Sequence, residues 1–351
     1  MNSPLKIILT GGGTLGSVSP LIAVWQELAS QNISVEALLV GTSFGPEKKF
    51  LQQYPAIKFA AIPQAKLRRY FSLLNLLTPL LLVAALIKSF FILHNFKPDL
   101  IISAGGFTGV PIIWLGKMFG YKIIIHQLDL QPTLSNKLTQ SQADLITVTF
   151  DKSLNDFPKK KTVVIGPLLR QEAVLEKHHI ADSKKTLLVL GGGTGALSLN
   201  KLIVEALPLL NKDINVFQVT GQGKKVLEGD LPNYRQVEFL TTDYYQKISQ
   251  ADLVLSRAGL STLLELSYFA KPVIIVALPN SHQEVNAGYY EVNKAAINLK
   301  QTALTPPMLA EKINELFNNQ TALKELANNI KMIAPANGAA KMVREILKLT
   351  E

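Results

Sequence analysis

The densest group of polar side chains in this 351-residue chain is Ser256-Arg257-Ala258-Gly259-Leu260-Ser261-Thr262-Leu263-Leu264-Glu265. It follows a short apolar run and takes helical apolar spacing after Gly259, so it reads as a strand end opening into a helix. The first N–H groups of such a helix lack intrahelical partners, and Leu260, Ser261 and Thr262 would offer them, with two hydroxyls, to a phosphate. Glu265 falls one turn further on, where a carboxylate can accept two hydrogen bonds from a ribose diol. The same pattern also suits Ser261 as a plain helix cap and Glu265 as a surface acid. Downstream, Gln283 and Asn286 lie three apart on one helical face, a spacing suited to sugar hydroxyls, while His282 alone reads as a loop or capping histidine.

Two copies of a second phrase, Gly11-Gly12-Gly13-Thr14 and Gly191-Gly192-Gly193-Thr194, each follow an apolar run and lead into helical spacing. Strand, glycine loop and helix in that order point backbone N–H groups at an anion, although either loop alone could be only a tight turn. Gly11, Gly13 and Gly16 match the dinucleotide-loop spacing. A dinucleotide site also needs an acid at the end of the next strand, and those strands end in Gly41-Thr42 and Thr220-Gly221. That reading is set aside. Gly105-Gly106 forms a third loop of this kind, and His126-Gln127-Leu128-Asp129 sits at another strand end, where α/β sheets bind ligands.

The elements that must position these residues alternate regularly. Strands are expected near 6–9, 35–40, 100–103, 122–126, 145–148 and 161–165, then 186–190, 214–219, 237–239, 253–256 and 273–276, with helices between them. Such alternation with short loops implies parallel sheets covered on both faces. Gly166-Pro167 marks the linker, giving an N-terminal domain of 1–165 and a C-terminal domain of 166–335 that face one cleft. A last amphipathic helix, within 336–351, is expected to pack back on the first domain.

A hydrophobic content of 48% is enough for two cores, and the absence of cysteine removes disulfides, thiolate metal sites and thiol nucleophiles. The start of the chain runs straight into a strand, so no cleavable leader is expected. The net charge of +10 is uneven: residues 1–165 carry 16 Lys and Arg against 8 Asp and Glu. No nucleic-acid motif accompanies that charge, which leaves an anionic membrane surface as the acidic partner. From Phe71 to Ile87 no residue is charged. The stretch is short for a membrane span, interrupted by Asn75, Thr78 and Pro79, and too apolar all round for an ordinary core helix. A helix, or a loop and helix broken at Pro79, dipping into one leaflet fits better, with Arg68, Arg69 and Lys88 at the headgroups.

Taken in order, the first loop with Val18 and Pro20, Gly105-Gly106, His126 with Asn136-Lys137, Gly166 to Arg170, Gly191 to Ala196, Arg257 to Glu265 and His282 to Ala287 resemble the MurG family over essentially the whole chain. The resemblance implies a GT-B α/β fold of two Rossmann-like domains. It implies transfer of N-acetylglucosamine from UDP-N-acetylglucosamine to undecaprenyl-diphosphate-linked N-acetylmuramoyl pentapeptide (lipid I), giving lipid II, by an inverting reaction that needs no metal. It also implies peripheral attachment at the cytoplasmic face of the membrane, with other cell-wall synthesis proteins as partners.

Carried over by residue, the resemblance gives Leu240 to uracil, Glu265 to the ribose, Leu260, Ser261 and Thr262 to the diphosphate, and Gln283 and Asn286 to the sugar. Arg170 matches an arginine of the family's linker segment, and Gly193-Thr194 stands for a Ser-Gln pair. Gly13, Thr14, Leu15, Gly16, Gly105, Gly106 and Asn136 fall on the acceptor side. That side departs more: Leu15 and Ser17 replace a glycine and a histidine, Phe107 a tyrosine, and His126-Gln127-Leu128-Asp129 stands for His-Glu-Gln-Asn. Ser17 and Asp129 then take the catalytic positions, and Asp129 is the group able to act as a base at neutral pH. Two alternatives follow from the altered wall: a GT-B transferase using another lipid-linked or glycolipid acceptor, and a catalytically weak homologue that binds UDP-sugar or lipid.

Overall fold

The computed structural model describes residues 3–64, 78–176, 185–191, 196–229, 231–240, 243–334 and 337–351. Gly193, Thr194, Arg68, Arg69 and the apolar segment 71–77 lie outside the described residues. The chain divides into two compact units, Met1–Gln171 with Asn337–Glu351, and Glu172–Ala336. The first unit thus runs past Ile165. Backbone and side chain of Gln171 bond to Gln26, and Arg170 bonds to Tyr54, which ties this segment to the first sheet's covering layer.

The first unit contains β1 (Leu5–Thr10), α1 (Ser19–Ser30), β2 (Val35–Thr42), α2 (Glu47–Phe50), β3 (Ile57–Ile62), α3 (Thr78–Phe96), β4 (Leu100–Ser103) and α4 (Gly109–Met118). It continues with β5 (Lys122–Gln127), α5 (Leu134–Thr139), β6 (Leu145–Val148) and β7 (Thr162–Val164), and α6 (Gln171–Leu175) straddles the boundary. The second holds β8 (Lys185–Leu190), α7 (Leu197–Ala206), β9 (Ile214–Val219), β10 (Tyr234–Val237), α8 (Tyr244–Gln250), β11 (Leu253–Ser256), α9 (Leu260–Tyr268) and β12 (Val273–Ile275). After these come α10 (His282–Val292), β13 (Ile297–Asn298), α11 (Pro306–Asn318) and α12 (Gln320–Ile333). The last helix, α13 (Ala339–Thr350), returns to the first unit and packs Met342, Val343 and Ile346 into the core that holds Leu21, Ile22 and Val24 of α1.

Among the described residues each unit is built on one parallel sheet, ordered β3-β2-β1-β4-β5-β6-β7 and β10-β9-β8-β11-β12-β13. Its central strands are apolar on both faces. Ile7 and Leu9 of β1 face the layer of α1 and α13, whereas Ile8 between them joins Ile101, Ile112 and Leu93 on the other side. Strand order reverses between β1 and β4 in one sheet and between β8 and β11 in the other. Ligands of open α/β sheets bind beyond the strand ends at such switch points. The residues there are Gly11–Gly13 and Gly105–Gly106 in one unit, and Gly191 with Arg257–Gly259 in the other.

Three elements differ from the sequence expectation: β10 is shifted, and β3 and the two-residue β13 are strands that the sequence reading did not include. β10 is Tyr234–Val237, not 237–239, because Tyr234 and Gln236 supply the buried side chains of an alternating edge strand. β3 is an additional edge strand, paired with β2. Helix α3 is continuous over Thr78–Phe96, and the stretch 71–77, which would tell one helix from a loop and helix broken at Pro79, lies outside the described residues.

Candidate functional site

In the first unit the switch-point loops touch backbone to backbone. Gly106 has φ +88°, and a Cβ there would lie 3.1 Å from the Gly12 oxygen and 3.2 Å from its nitrogen. Gly13 (φ +84°) and Gly105 (φ +90°) also adopt the left-handed region that favours glycine. The N–H groups are less available than the sequence suggests. Gly11 donates to the Val40 carbonyl at 3.3 Å, Gly13 to Glu47 Oε1 at 2.6 Å, Gly105 to Ser103 Oγ at 3.2 Å and Gly106 to Ser135 Oγ at 3.1 Å. What these glycines offer a ligand is close backbone approach, not those four donors. Beyond them Thr14 is exposed, Leu15 turns against the apolar core, Gly16 is half-buried, and the Ser17 hydroxyl donates to the Thr14 carbonyl at 3.3 Å.

The end of β5 is organised by Gln127. Its amide donates to the carbonyls of Asp129 (2.7 Å) and Gln131 (2.8 Å), and its oxygen accepts from Asn136 Nδ2 at 2.7 Å. The turn carrying half-buried Asp129 is therefore held by the Gln127 side chain. Asn136 Nδ2 also donates to the His126 carbonyl, while its buried Oδ1 has no hydrogen-bond partner among the described residues and faces Gly105, whose added Cβ would sit 3.6 Å away. His126 is fully buried between the hydroxyls of Thr147 and Thr149, and burial pushes its pKa down to about 4 despite the Thr147 hydrogen bond. It is a neutral, structural imidazole.

The second unit places its groups on side chains. Helix α9 opens at Leu260 after an extended Gly259, so Leu260, Ser261 and Thr262 form its first turn. Glu265, 5% exposed, accepts from Tyr244 Oη at 2.9 Å on one oxygen and from Tyr245 Oη at 2.8 Å on the other. Arg257 is buried and committed to its own unit, donating to the carbonyls of Val276 and Ala277 and to Ser198 Oγ. Asn286 is likewise inward, its amide on the Ala258 carbonyl at 3.0 Å, and Gln283 accepts from the Leu278 N–H. Both brace loops, as Arg170 does in the first unit by bonding Tyr54 and lying 5.0 Å over the Phe50 ring. Leu240 is half-buried just past β10. A buried chain missed by sequence reasoning runs from Tyr234 Oη to Gln218, on to Asn200, and from Asn200 to the Thr220 and Lys224 carbonyls, fixing the loop after β9.

The models of the glycosyltransferase family 28 N-terminal and C-terminal domains match residues 7–148 and 186–344. A Staphylococcus aureus UDP-N-acetylglucosamine–N-acetylmuramyl-(pentapeptide) pyrophosphoryl-undecaprenol N-acetylglucosamine transferase is 33% identical over 338 residues, 93% of this chain and 94% of its own. The chain belongs to the MurG family. Among solved structures, Acinetobacter baumannii MurG matches with a TM-score of 0.71 at 23% identity, covering 98% of this chain and all of that one. A Staphylococcus aureus MnaA–UDP co-structure matches with a TM-score of 0.71 at 14% identity, covering 97% of this chain and 96% of that one. These last two likenesses establish the fold, a GT-B pairing of Rossmann-like units.

This MurG-family chain also exposes one face of α3. The helix buries Thr78, Ala85, Ser89 and Leu93 and presents Leu80, Val83, Ile87, Phe90 and Phe91 to solvent. By length and composition it is apolar enough to cross a membrane, with a mean hydropathy of 1.7. Lys88 is exposed, and its ammonium donates to the Ala61 carbonyl at 3.4 Å. Among the described residues no group of three or more His, Asp or Glu side chains could hold a metal ion.

Proposed function

We propose that the chain transfers N-acetylglucosamine from UDP-N-acetylglucosamine to lipid I, giving lipid II for peptidoglycan synthesis and so for cell shape and division. The observation that carries this reading is the 33% identity to a curated transferase of that name across 93% of the chain. UDP binds the second unit, with Glu265 on the ribose, the first turn of α9 (Leu260, Ser261, Thr262) and Gly193-Thr194 at the diphosphate, Leu240 at uracil, and Gln283 with Asn286 nearest the sugar. The acceptor binds the first unit along Gly13–Gly16, Gly105, Gly106 and Asn136.

In the reaction the acceptor hydroxyl oxygen attacks the anomeric carbon from the side opposite UDP, and the bond to the diphosphate oxygen breaks. The hydroxyl proton passes to Asp129, with Ser17 beside the loop as a hydrogen-bonding group. The leaving diphosphate is stabilised by the positive end of α9. No metal is required, so a chelator leaves the rate unchanged. The exposed face of α3 lies in the outer part of the cytoplasmic leaflet, where anionic lipids attract the basic first unit.

A second reading keeps donor and fold but changes the acceptor; Leu15 and Ser17, where the family carries a glycine and a histidine, favour it. Incubation with labelled UDP-N-acetylglucosamine and lipid I separates them. A β-linked lipid II supports the first reading, transfer only to other lipids supports the second, and binding without turnover defeats both.

A further inference from the structure

Glu47 begins the four-residue helix α2, where Glu-Lys-Lys reads as a solvated turn, yet it is completely buried. Its Oε1 accepts three hydrogen bonds: from Gly13 N–H at 2.6 Å, from Thr42 N–H at 3.2 Å and from Thr42 Oγ1 at 2.9 Å. Oε2 has no hydrogen-bond partner among the described residues. Glycines make room for it on two sides, since a Cβ on Gly12 would collide with Oε1 and one on Gly45 with Oε2.

A buried carboxylate is costly unless donors compensate it. Here the compensation comes from the end of β2 and from the glycine loop, and Glu47 belongs to no apolar core cluster. The short bond to Gly13 crosses from α2 to the loop, and it closes on a residue held at φ +84°. Thr14, Leu15, Gly16 and Ser17 follow directly, so the direction in which the chain leaves Gly13 decides where they lie.

We infer that Glu47 is the positioning residue of the acceptor loop: through Gly13 it sets the backbone of Thr14–Ser17 and removes the Gly13 N–H from ligand binding. The link to the acceptor rests on the function proposed above; the hold on the loop does not.

The test compares wild type with Glu47→Ala, Glu47→Gln and Thr42→Val in the full chain. Hydrogen exchange of peptides covering Gly11–Val18 should quicken about tenfold in Glu47→Ala, with the β1 and β8 peptides unchanged. The acceptor KM should rise about tenfold while the UDP Kd stays within about twofold, and Glu47→Gln, which keeps the Oε1 acceptor, should recover both to within about threefold. Unchanged loop exchange in Glu47→Ala overturns the inference, as does an equal loss of UDP affinity or a failure of Glu47→Gln to recover. If Glu47→Ala does not fold, Thr42→Val decides: it should quicken exchange of the same peptides about threefold, and wild-type protection would count against the inference. A wild type that makes no lipid II defeats the functional reading, and the exchange result then still decides whether Glu47 holds the loop.

Discussion

Each unit keeps one glutamate buried beside its switch point, and the two are used differently. Glu47 accepts from backbone N–H groups and a threonine on a single oxygen, and the glycines around it leave no space for anything larger. Glu265 lies on the helix that opens the donor side, and its two oxygens each accept a phenol hydroxyl. The first unit's acid thus meets backbone N–H groups of a loop and a strand end, whereas the second unit's acid meets side-chain hydroxyls.

The largest effect that would break this comparison is at Asp129. Asp129→Asn should lower turnover roughly 10² to 10⁴-fold while UDP affinity stays at the wild-type value. A steady-state rate that survives would remove Asp129 as the base and leave the first unit without an ionisable group at that turn. Next is Glu265→Gln, in which an amide nitrogen cannot accept a hydroxyl proton on one side. UDP affinity by calorimetry should fall roughly 10- to 100-fold, the range for losing a hydrogen bond to a charged group. An unchanged Kd would mean the donor nucleotide is not read by α9.

The sheets were legible because parallel strands covered on both faces are continuous apolar runs, as in Ile101-Ile102 or Leu187-Leu188-Val189-Leu190. The switch-point loops followed from glycines at those strand ends. Edge strands were not legible in the same way: β3 reads Ile-Lys-Phe-Ala-Ala-Ile with a half-exposed middle, and β10 buries a tyrosine and a glutamine. Side-chain direction was the other gap. The contacts of Asn286, Arg170 and Arg257 with buried backbone carbonyls or a tyrosine could not be read from sequence, although inward polar groups must be paired. Glu47 was hidden by its two lysine neighbours; Thr42 and Gly45 before it, a hydroxyl donor and a space, were the available signal.

A smaller effect concerns stability on the acceptor side. His126 has a folded pKa of about 4 against 6.5 for the free imidazole. Above pH 6.5 both folded and unfolded chains keep it neutral, and stability is unaffected. As the pH falls below 6.5 the unfolded chain binds a proton that the folded chain refuses, so stability declines until about pH 4. At pH 5 the loss is about 2 kcal/mol, from 1.36 kcal/mol per pH unit. In urea unfolding, the drop between pH 7.5 and pH 5 should be smaller by that amount in His126→Gln. Equal drops would mean that the buried imidazole finds a partner when protonated.

The smallest effect bears most directly on the two glutamates. Tyr245 is buried and stacked on Phe269 at 5.9 Å and 16°, so its hydroxyl cannot swing away from Glu265 without disturbing the core. If that hydroxyl orients the carboxylate and leaves its other lone pairs for a ribose, Tyr245→Phe should weaken UDP about fivefold, the equivalent of one hydrogen bond of about 1 kcal/mol. If it instead occupies the place of a ribose hydroxyl, removing it should tighten UDP. Thr42→Val makes the matching cut at Glu47 and should leave UDP affinity untouched, because that acid has no part in holding the nucleotide. A fall in UDP affinity from Tyr245→Phe alone would establish that the donor carboxylate is aimed by its neighbours in the way Glu47 aims a loop, with the roles of acid and target exchanged.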